Sequence, residues 1–210
     1  MHFLRIAGLA AAFSAGLAPP AAGDSTPVLI GDSISAGRAG DLFLAERPAW
    51  DRDAVMGRLV NQLPLRLDER IAKVGTPRRV VMALGTNTVA GWTKADFLDA
   101  VNKVPESTQV IFIAPYVRAN DLDPALPRGS LANSRTHQYA RWMNALAAEE
   151  PNVCVMPWRA RVINDPALLR SDGAHPSWAG QRVWARMLHT QIGDPECQGF
   201  RAPLGMESKR

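Results

Sequence analysis

The sequence has little of what several protein classes depend on. It contains only two cysteines, and at 210 residues it can bury roughly 70% of its unfolded surface, so folding requires neither a dense disulfide framework nor a metal. Its 24 basic and 20 acidic residues give a net charge of +4 and form no basic stripe, which disfavours a nucleic-acid surface. Charged residues at 21% and hydrophobic residues at 47% exclude a disordered or fibrous protein.

The chain also lacks a long apolar run at its N-terminus. Arg5 precedes the apolar stretch Ile6–Ala18, whose 13 residues are fewer than the roughly 20 that cross a bilayer. A small-residue region ending at Gly23 follows, and this order is typical of a secretory signal. We therefore predict a signal peptide over residues 1–23, with an uncleaved anchor or a disordered tail as the alternative. Residues 24–210 would then be an exported protein, periplasmic or extracellular, with one domain and a short C-terminal tail.

The two cysteines, Cys154 and Cys197, both lie in the predicted mature chain. In an oxidising compartment an even pair favours a disulfide, which would tie the C-terminal tail to the segment Asn152–Pro157. The alternative is a buried free Cys154 and a separate exposed Cys197, and the sequence does not decide between them. Neither cysteine has the neighbours of a metal site.

Apolar runs of strand length alternate along the chain with helix-spaced patterns. Strands are predicted at Pro27–Ile30, Asp53–Val55, Arg79–Leu84, Gln109–Ala114 and Val153–Met156. Helices are predicted at Leu59–Val74, Thr93–Val104, Leu131–Glu149 and Ser177–Ile192, with Thr93 as a cap and Asp96 at the third position. This alternation predicts one α/β domain, a parallel sheet of about five strands with helices on both faces.

Polar residues follow the strands at the edge where such sheets bind ligands. Ser33 comes after the first strand, Gly57 after the second and Asn87 after the third. Asp172 and His175 follow the last strand, three residues apart. His175 would take the proton of the Ser33 hydroxyl, and Asp172 would hold the other ring nitrogen. The backbone N–H groups of Ser33 and Gly57 and the Asn87 amide would form an oxyanion hole.

Each of these residues also has a purely structural interpretation. Ser33 would serve as a helix N-cap, and Asp172 and His175 as caps of the Ser177–Ile192 helix. Asn87 and Gly57 would serve only the geometry of their turns.

The four blocks Gly31-Asp32-Ser33, Gly57, Gly85-Thr86-Asn87 and Asp172–His175 resemble, in order, those of the SGNH (GDSL-type) hydrolase superfamily. The resemblance implies a flavodoxin-like three-layer α/β/α sandwich with Ser33 as nucleophile, His175 as base and Asp172 as its partner. It also implies that Gly57 and Asn87 complete the oxyanion hole. No Gly-x-Ser-x-Gly surrounds Ser33, which argues against an α/β-hydrolase elbow.

Two details depart from the commonest family pattern. Thr88 replaces the usual aspartate after Asn87, and the glycine block reads Asp53-Ala54-Val55-Met56-Gly57-Arg58. That string is similar to the SGNH domains of polysaccharide and peptidoglycan O-acyltransferases. The similarity implies acetyl groups on sugars as substrates instead of long-chain lipids.

Three further side chains are candidates for substrate binding: Arg58, Trp92 and Trp178. The alternatives are a salt bridge for Arg58 and packing for the two tryptophans. The polar loop Pro115–Ser130 follows the fourth strand and is predicted to overhang the catalytic edge, where it would form one wall of the site or else be a solvated excursion. Its charged and amide residues are Arg118, Asn120, Asp121, Asp123 and Arg128.

The sequence thus predicts an exported serine esterase that cleaves acetyl-type esters on carbohydrate through an acyl-enzyme on Ser33. The alternatives are an O-acyltransferase acting on a polysaccharide hydroxyl, a general secreted lipase-like esterase or thioesterase, and a catalytically silent carbohydrate-binding module. The expected partner is a small-molecule or polysaccharide ester. We expect no metal, no cofactor, no nucleic acid and no integral membrane segment in the mature chain, and the oligomeric state stays open.

Overall fold

The protein is built on one five-stranded parallel sheet, seen in a computed structural model that describes residues 25–118, 128–194 and 197. The predicted signal peptide, residues 1–23, lies outside the described residues. The strands are β1 (Val28–Gly31), β2 (Asp51–Ala54), β3 (Arg79–Ala83), β4 (Gln109–Ile113) and β5 (Val153–Met156). Their order is β2-β1-β3-β4-β5, and every neighbouring pair is parallel. All carboxyl ends therefore lie at one edge, and the order reverses between β1 and β3.

Helices cover both faces of the sheet. They are α1 (Ser33–Ala36), α2 (Arg38–Glu46), α3 (Leu63–Val74), α4 (Lys94–Val101), α5 (Arg128–Glu149), α6 (Trp158–Asn164) and α7 (Trp178–Gly193). One apolar core lies between the sheet and α1, α2, α6 and α7, and the other between the sheet and α3, α4 and α5. This confirms the predicted three-layer α/β/α sandwich.

The central strands contribute to both cores, because successive side chains of a strand point to opposite faces of the sheet. In β4, Ile111 and Ile113 belong to the first core, while Val110 and Phe112 belong to the second. Burial on both faces explains why these strands read as continuous apolar runs in the sequence.

The edge strand β2 is the strand whose predicted position was wrong. The prediction was Asp53–Val55, but the strand runs from Asp51 to Ala54, and Val55 lies in the following loop, 53% exposed. Its charged residues are held by ion pairs: Lys73 lies 2.5 Å from Asp51, and Asp41 lies 2.9 Å from Arg52. Charged side chains on an edge strand discourage pairing with other chains.

The helix predictions differ from the structure mainly at the ends. The predicted helix Leu59–Val74 is a single 3₁₀ turn followed by α3, which begins at Leu63 with a proline at its second position. The predicted capping box of α4 is confirmed, because the Thr93 N–H donates to Asp96 Oδ2 at 2.7 Å. The short helices α2 and α6 were not predicted, whereas a helix beginning near Ser33, as α1 does, was expected.

The structure joins Cys154 of β5 to Cys197 in a disulfide that closes a separation of 43 residues. Cys197 is buried, and its carbonyl accepts a hydrogen bond from the Gln109 side chain of β4. The tail is thereby tied to the sheet. Among the helices that the structure describes, none combines the length and apolar composition of a membrane span.

Candidate active site

Ser33 occupies the first position of α1, immediately after β1. The Asp32 side chain caps this helix by accepting a hydrogen bond from the Ile34 N–H at 3.0 Å. A glycine is required at position 31, because a Cβ there would lie 1.7 Å from Ser35 Oγ. Since Asp32 is the cap, the Ser33 hydroxyl is not used for capping and lies at the carboxyl edge of the sheet.

The His175 ring links Ser33 to Asp172. Ser33 Oγ lies 2.8 Å from Nε2 of the ring, and Nδ1 lies 3.0 Å from Asp172 Oδ2. The other oxygen of Asp172 accepts hydrogen bonds from the backbone N–H groups of Ala174 and His175, both at 2.9 Å. These bonds assign the proton of the neutral ring to Nδ1, which leaves Nε2 to accept from the serine hydroxyl.

The environment of Asp172 keeps its carboxylate ionised. Burial raises the pKa of Asp172, but hydrogen bonds from the N–H groups of Ala174 and His175, together with the bond and attraction to the His175 ring, outweigh it. The pKa of Asp172 therefore lies below its ordinary value. An ionised partner can hold the ring in one orientation and stabilise its protonated form.

The loop that carries Asp172 and His175 is held in place by its own backbone and by the chain that follows β4. The Arg170 N–H donates to the His175 carbonyl at 2.8 Å, and the Arg118 N–H donates to the Gly173 carbonyl at 2.8 Å. Gly173 has a φ of +69°, and a Cβ there would lie 2.7 Å from the Arg118 Cβ. The start of the predicted overhanging loop thus contacts the site. Asn120, Asp121 and Asp123 lie outside the described residues, and Arg128 begins α5.

Gly57 and Asn87 come from the loops after β2 and β3. The Asn87 side-chain amide donates to the Arg58 carbonyl at 3.1 Å, and the Asn87 carbonyl accepts from the Val60 N–H at 3.2 Å. Gly57 has a φ of +74°, and no described residue accepts a hydrogen bond from its N–H. The two loops are therefore fixed to each other, but their role as oxyanion donors stays a prediction.

Arg58 is buried, with 5% of its surface exposed. Its guanidinium donates to the Asp53 backbone carbonyl and lies 2.6 Å from Asp53 Oδ1. Arg70 lies 3.8 Å from the other oxygen of Asp53. The predicted substrate contact is therefore replaced by an ion pair, which leaves no free guanidinium to reach a ligand. Arg58 contributes its backbone carbonyl, which accepts the hydrogen bond from the Asn87 amide.

Asp32 is a buried carboxylate directly beneath the nucleophile, with 1% of its surface exposed. Its Oδ1 caps α1. Its Oδ2 has no well-formed hydrogen bond among the described residues, but the nearby Thr86 side chain partly stabilises the carboxylate. Burial raises the pKa of Asp32 to about 6, against the lowering effects of hydrogen bonds from Ile34 and Thr86 and of the electrostatic interaction with His175. No local sequence pattern reports this burial.

A cavity of about 380 Å³ opens in front of the Ser33 hydroxyl. Besides Ser33, Asp172 and His175, it is lined by Arg38, Met56 and Arg170, together with parts of α1, α2 and α7. Sequence reasoning missed the two arginines, although Arg38 follows the serine by five residues and Arg170 precedes the aspartate by two. Proximity in sequence to the motif residues was the signal that would have found them.

The two tryptophans proposed for substrate stacking have different environments. Trp92 is half-buried and packs against the second core, edge-on to Phe97 with ring centroids 5.5 Å apart and with its Nε1 buried. Trp178 is 57% exposed at the start of α7 and lies beside Arg38 and Arg182. Trp178 is thus the more exposed of the two rings.

The arrangement supplies a serine, a base and an ionised partner at one end of an open cavity. Within residues 25–118, 128–194 and 197, no three His, Cys, Asp or Glu side chains form a group that could hold a metal ion. Helix α1 after β1, Met56 after β2 and the loop before α7 thus line one cavity at the edge where a parallel sheet binds ligands, whereas Gly57 and Asn87 are not among the lining residues.

Several solved structures share the fold of this chain. No family model and no curated protein match the sequence. Among solved structures, the C-terminal catalytic domain of peptidoglycan O-acetyltransferase A from Streptococcus pneumoniae superposes with a TM-score of 0.64 at 21% identity, covering 80% of this chain and 93% of that one. An acetylxylan esterase from Geobacillus stearothermophilus gives 0.59 at 22%, covering 80% and 94%. A GDSL-like lipase from Parabacteroides merdae gives 0.61 at 18%, covering 81% and 96%. The chain therefore has the three-layer fold of the SGNH (GDSL-type) hydrolases, as its motifs predicted.

Proposed function

We propose that the protein is a serine esterase that cleaves acetyl-type esters through an acyl-enzyme on Ser33. The observation that carries the proposal is the continuous contact from Ser33 Oγ to His175 Nε2 at 2.8 Å and from His175 Nδ1 to Asp172 at 3.0 Å. Nucleophile, base and orienting group within hydrogen-bond reach are the geometric signature of covalent catalysis.

In the proposed reaction, Ser33 Oγ attacks the ester carbonyl while His175 Nε2 takes its proton. The tetrahedral oxyanion is received by the N–H groups of Ser33 and Gly57 and by the second N–H of the Asn87 amide. As the intermediate collapses, the protonated His175 gives its proton to the departing alcohol oxygen. Water then attacks the acyl group by the same steps, with His175 as base, and releases the acid and the free Ser33 hydroxyl.

The preference for short acyl groups on carbohydrate rests on the character of the cavity. The volume of about 380 Å³ is lined by Arg38, Arg170, Asp172 and His175 together with small and apolar residues such as Ala36 and Met56, whereas a long acyl chain requires an extended apolar groove. The exposed face of Trp178 offers an apolar surface for a sugar ring. Two of the similar structures are named for acetyl chemistry on polysaccharides, an acetylxylan esterase and a peptidoglycan O-acetyltransferase domain.

Acyl transfer is the second candidate, favoured by the likeness to the O-acetyltransferase domain. Hydrolysis and transfer share the acyl-enzyme and differ in whether water or a sugar hydroxyl attacks it. Incubation with p-nitrophenyl acetate and an oligosaccharide acceptor distinguishes them, because free acetate accumulates in one case and acetylated acceptor in the other.

Export is part of the proposal and rests on the sequence pattern of residues 1–23. The disulfide between Cys154 and Cys197 supports it, because disulfides persist in oxidising compartments. Expression of the full chain followed by N-terminal sequencing of the recovered protein tests this, and we expect a new N-terminus near Gly23.

The catalytic test uses p-nitrophenyl acetate, butyrate and octanoate with purified protein. We expect rates to fall steeply from acetate to octanoate. Ser33→Ala and His175→Ala should each lower kcat by roughly 10⁴–10⁶, and the double variant should be scarcely worse, because the groups act as a unit. Asp172→Asn should cost less than either.

Ser107→Ala and His137→Ala are matched controls, since both residues are exposed and lie outside the site. We expect both to retain wild-type rates. Wild-type activity in Ser33→Ala would refute the acyl-enzyme, and a preference for octanoate would leave a general lipase-like esterase.

A further inference from the structure

Arginine side chains surround the mouth of the cavity without carboxylate partners. Arg38, at the start of α2, and Arg170, before the catalytic loop, both line the cavity and are exposed. Arg170 uses Nε to donate to the Pro176 carbonyl at 3.2 Å, which leaves its terminal nitrogens free of described acceptors. Arg182 lies one helical turn beyond Trp178 on α7.

Trp178 connects two of these cations. The Arg38 guanidinium lies 5.8 Å from the centre of the indole ring, and that of Arg182 lies 4.9 Å from it. Stacking on an aromatic face restrains a guanidinium while its N–H donors stay available. Arg38 is therefore held at the cavity with unused donors, and Arg182, which lines a separate cavity between α2 and α7, is held against the same indole ring.

The carboxylates on the neighbouring elements already have partners. Asp172 is bound by His175 and two backbone N–H groups, and Asp41, on the same helix as Arg38, lies 2.9 Å from Arg52. Glu46, which lines a separate cavity with Arg182, lies 3.2 Å from His189. The lining of the cavity at Ser33 therefore carries two arginines against one carboxylate, Asp172, and neither arginine is paired with it in a salt bridge.

Other arginines of the protein show that carboxylate pairing is common where no ligand is expected. Arg66 lies 2.7 Å from Glu69 and Arg161 lies 3.1 Å from Asp165, both away from the cavity. Unpaired surface arginines occur elsewhere too. At the cavity that contains Ser33, however, two unpaired arginines line the same opening, and a third is held against the indole ring beside Arg38.

We propose that this cluster, Arg38, Arg170 and Arg182, binds an anionic group on the alcohol part of the ester, such as the carboxylate or phosphate of an acidic saccharide. Guanidinium groups recognise both anions through paired N–H donors. The inference rests on the proposed esterase function, because it names the class of substrate that reaches Ser33.

The test compares an anionic and a neutral acetyl ester of similar size, 4-acetoxybenzoate and 4-acetoxybenzamide, each normalised to its hydroxide-catalysed rate. A third arm, 4-acetoxyphenyl phosphate, separates carboxylate from phosphate preference. O-acetylated oligogalacturonate against O-acetylated xylo-oligosaccharide repeats the comparison on sugars. We expect kcat/KM to favour the anionic esters by roughly tenfold at low ionic strength, and 0.5 M NaCl to reduce this ratio, because exposed charges are screened.

Arg38→Gln and Arg170→Gln should each lower the anionic-to-neutral ratio about three- to tenfold, the range between exposed and partly desolvated charge pairs. Arg78→Gln removes the same charge at the opposite edge of the sheet, before β3, and should leave the ratio unchanged. The salt dependence of the wild-type ratio needs no variant and guards against misfolding.

A wild-type ratio near one, or a ratio that falls equally in Arg78→Gln, would overturn the inference while leaving the esterase intact. Undiminished cleavage of both esters by Ser33→Ala would instead refute the proposed function.

Discussion

Asp32 makes the folded protein less stable at neutral pH than it would be with an uncharged side chain. The carboxyl is 1% exposed, and burial raises its pKa from 3.8 to about 6. Between these two values the folded state holds a proton that the unfolded state has lost, so the free energy of unfolding falls as the pH rises through this interval. Above pH 6 the full penalty applies. A shift of about two pKa units corresponds to roughly 3 kcal/mol.

Asp32→Asn should remove this penalty, because asparagine keeps the oxygen that caps α1 and carries no charge. We expect the variant to be more stable than the wild type by about 1–3 kcal/mol at pH 8 and to lose that advantage near pH 4. The measurement is urea unfolding of both proteins across this pH range. Asp32→Ala should gain less, since it also loses the cap, which contributes about 0.5–2 kcal/mol.

Asp41→Asn is the control for charge removal on the surface, because its side chain is 47% exposed. Its stability should differ from that of the wild type by less than about 1 kcal/mol, with little dependence on pH. A stability difference between Asp32→Asn and the wild type that stays constant from pH 4 to pH 8 would refute the buried-charge argument.

Two further predictions concern Arg58 and the disulfide. Arg58→Ala removes the ion-pair partner of Asp53, so the free energy of unfolding should fall by about 2–4 kcal/mol. It also frees the Arg58 carbonyl that accepts from Asn87 to move, so kcat should fall by a larger factor than KM rises. Arg66→Ala, which breaks a more exposed pair with Glu69, should change neither appreciably, and equal effects in both would contradict the positioning role. Replacing Cys154 and Cys197 by serine should lower the free energy of unfolding by about 2–4 kcal/mol, as expected for a closed segment of 43 residues. Urea unfolding with and without reductant checks this, and coincident wild-type curves would contradict it.

The sequence predicts those parts of the fold in which local pattern and burial agree. Strands β3, β4 and β5 are buried on both faces, so their apolar runs mark them within one residue. Strand β2 is an edge strand whose charges are neutralised by α2 and α3, and no local pattern reports partners that distant.

Helix α2 was missed for a related reason. Its first turn contains Gly40, which weakens helix propensity, yet a Cβ at this position would lie 1.9 Å from the Ser35 carbonyl oxygen. The glycine is thus required by the close approach of α1 to α2, a tertiary contact that is invisible in a single helix pattern.

At the candidate site, too, the sequence indicates the chemical groups but not their packing. Ser33, Asp172 and His175 could be found because each residue type has a distinct chemical role and follows a strand in a recognisable order. The burial of Arg58 and the packing of Trp92 could not be found in this way, since exposure depends on neighbours from other elements. Arg58 is enclosed through Asp53 and Arg70, and Trp92 packs against Phe97.

Two groups of loops at the carboxyl edge of the sheet are fixed independently. The loops after β2 and β3 are fixed to each other, because Arg58 is held by Asp53 and its carbonyl accepts a hydrogen bond from Asn87. The loop with Asp172 and His175 is fastened to the chain after β4 through Gly173 and Arg118. Because no hydrogen bond among the described residues joins these two groups directly, a change in one should leave the geometry of the other intact. Under the proposed roles of Gly57 and Asn87, losses in oxyanion stabilisation and in proton transfer should therefore arise from separate sets of substitutions.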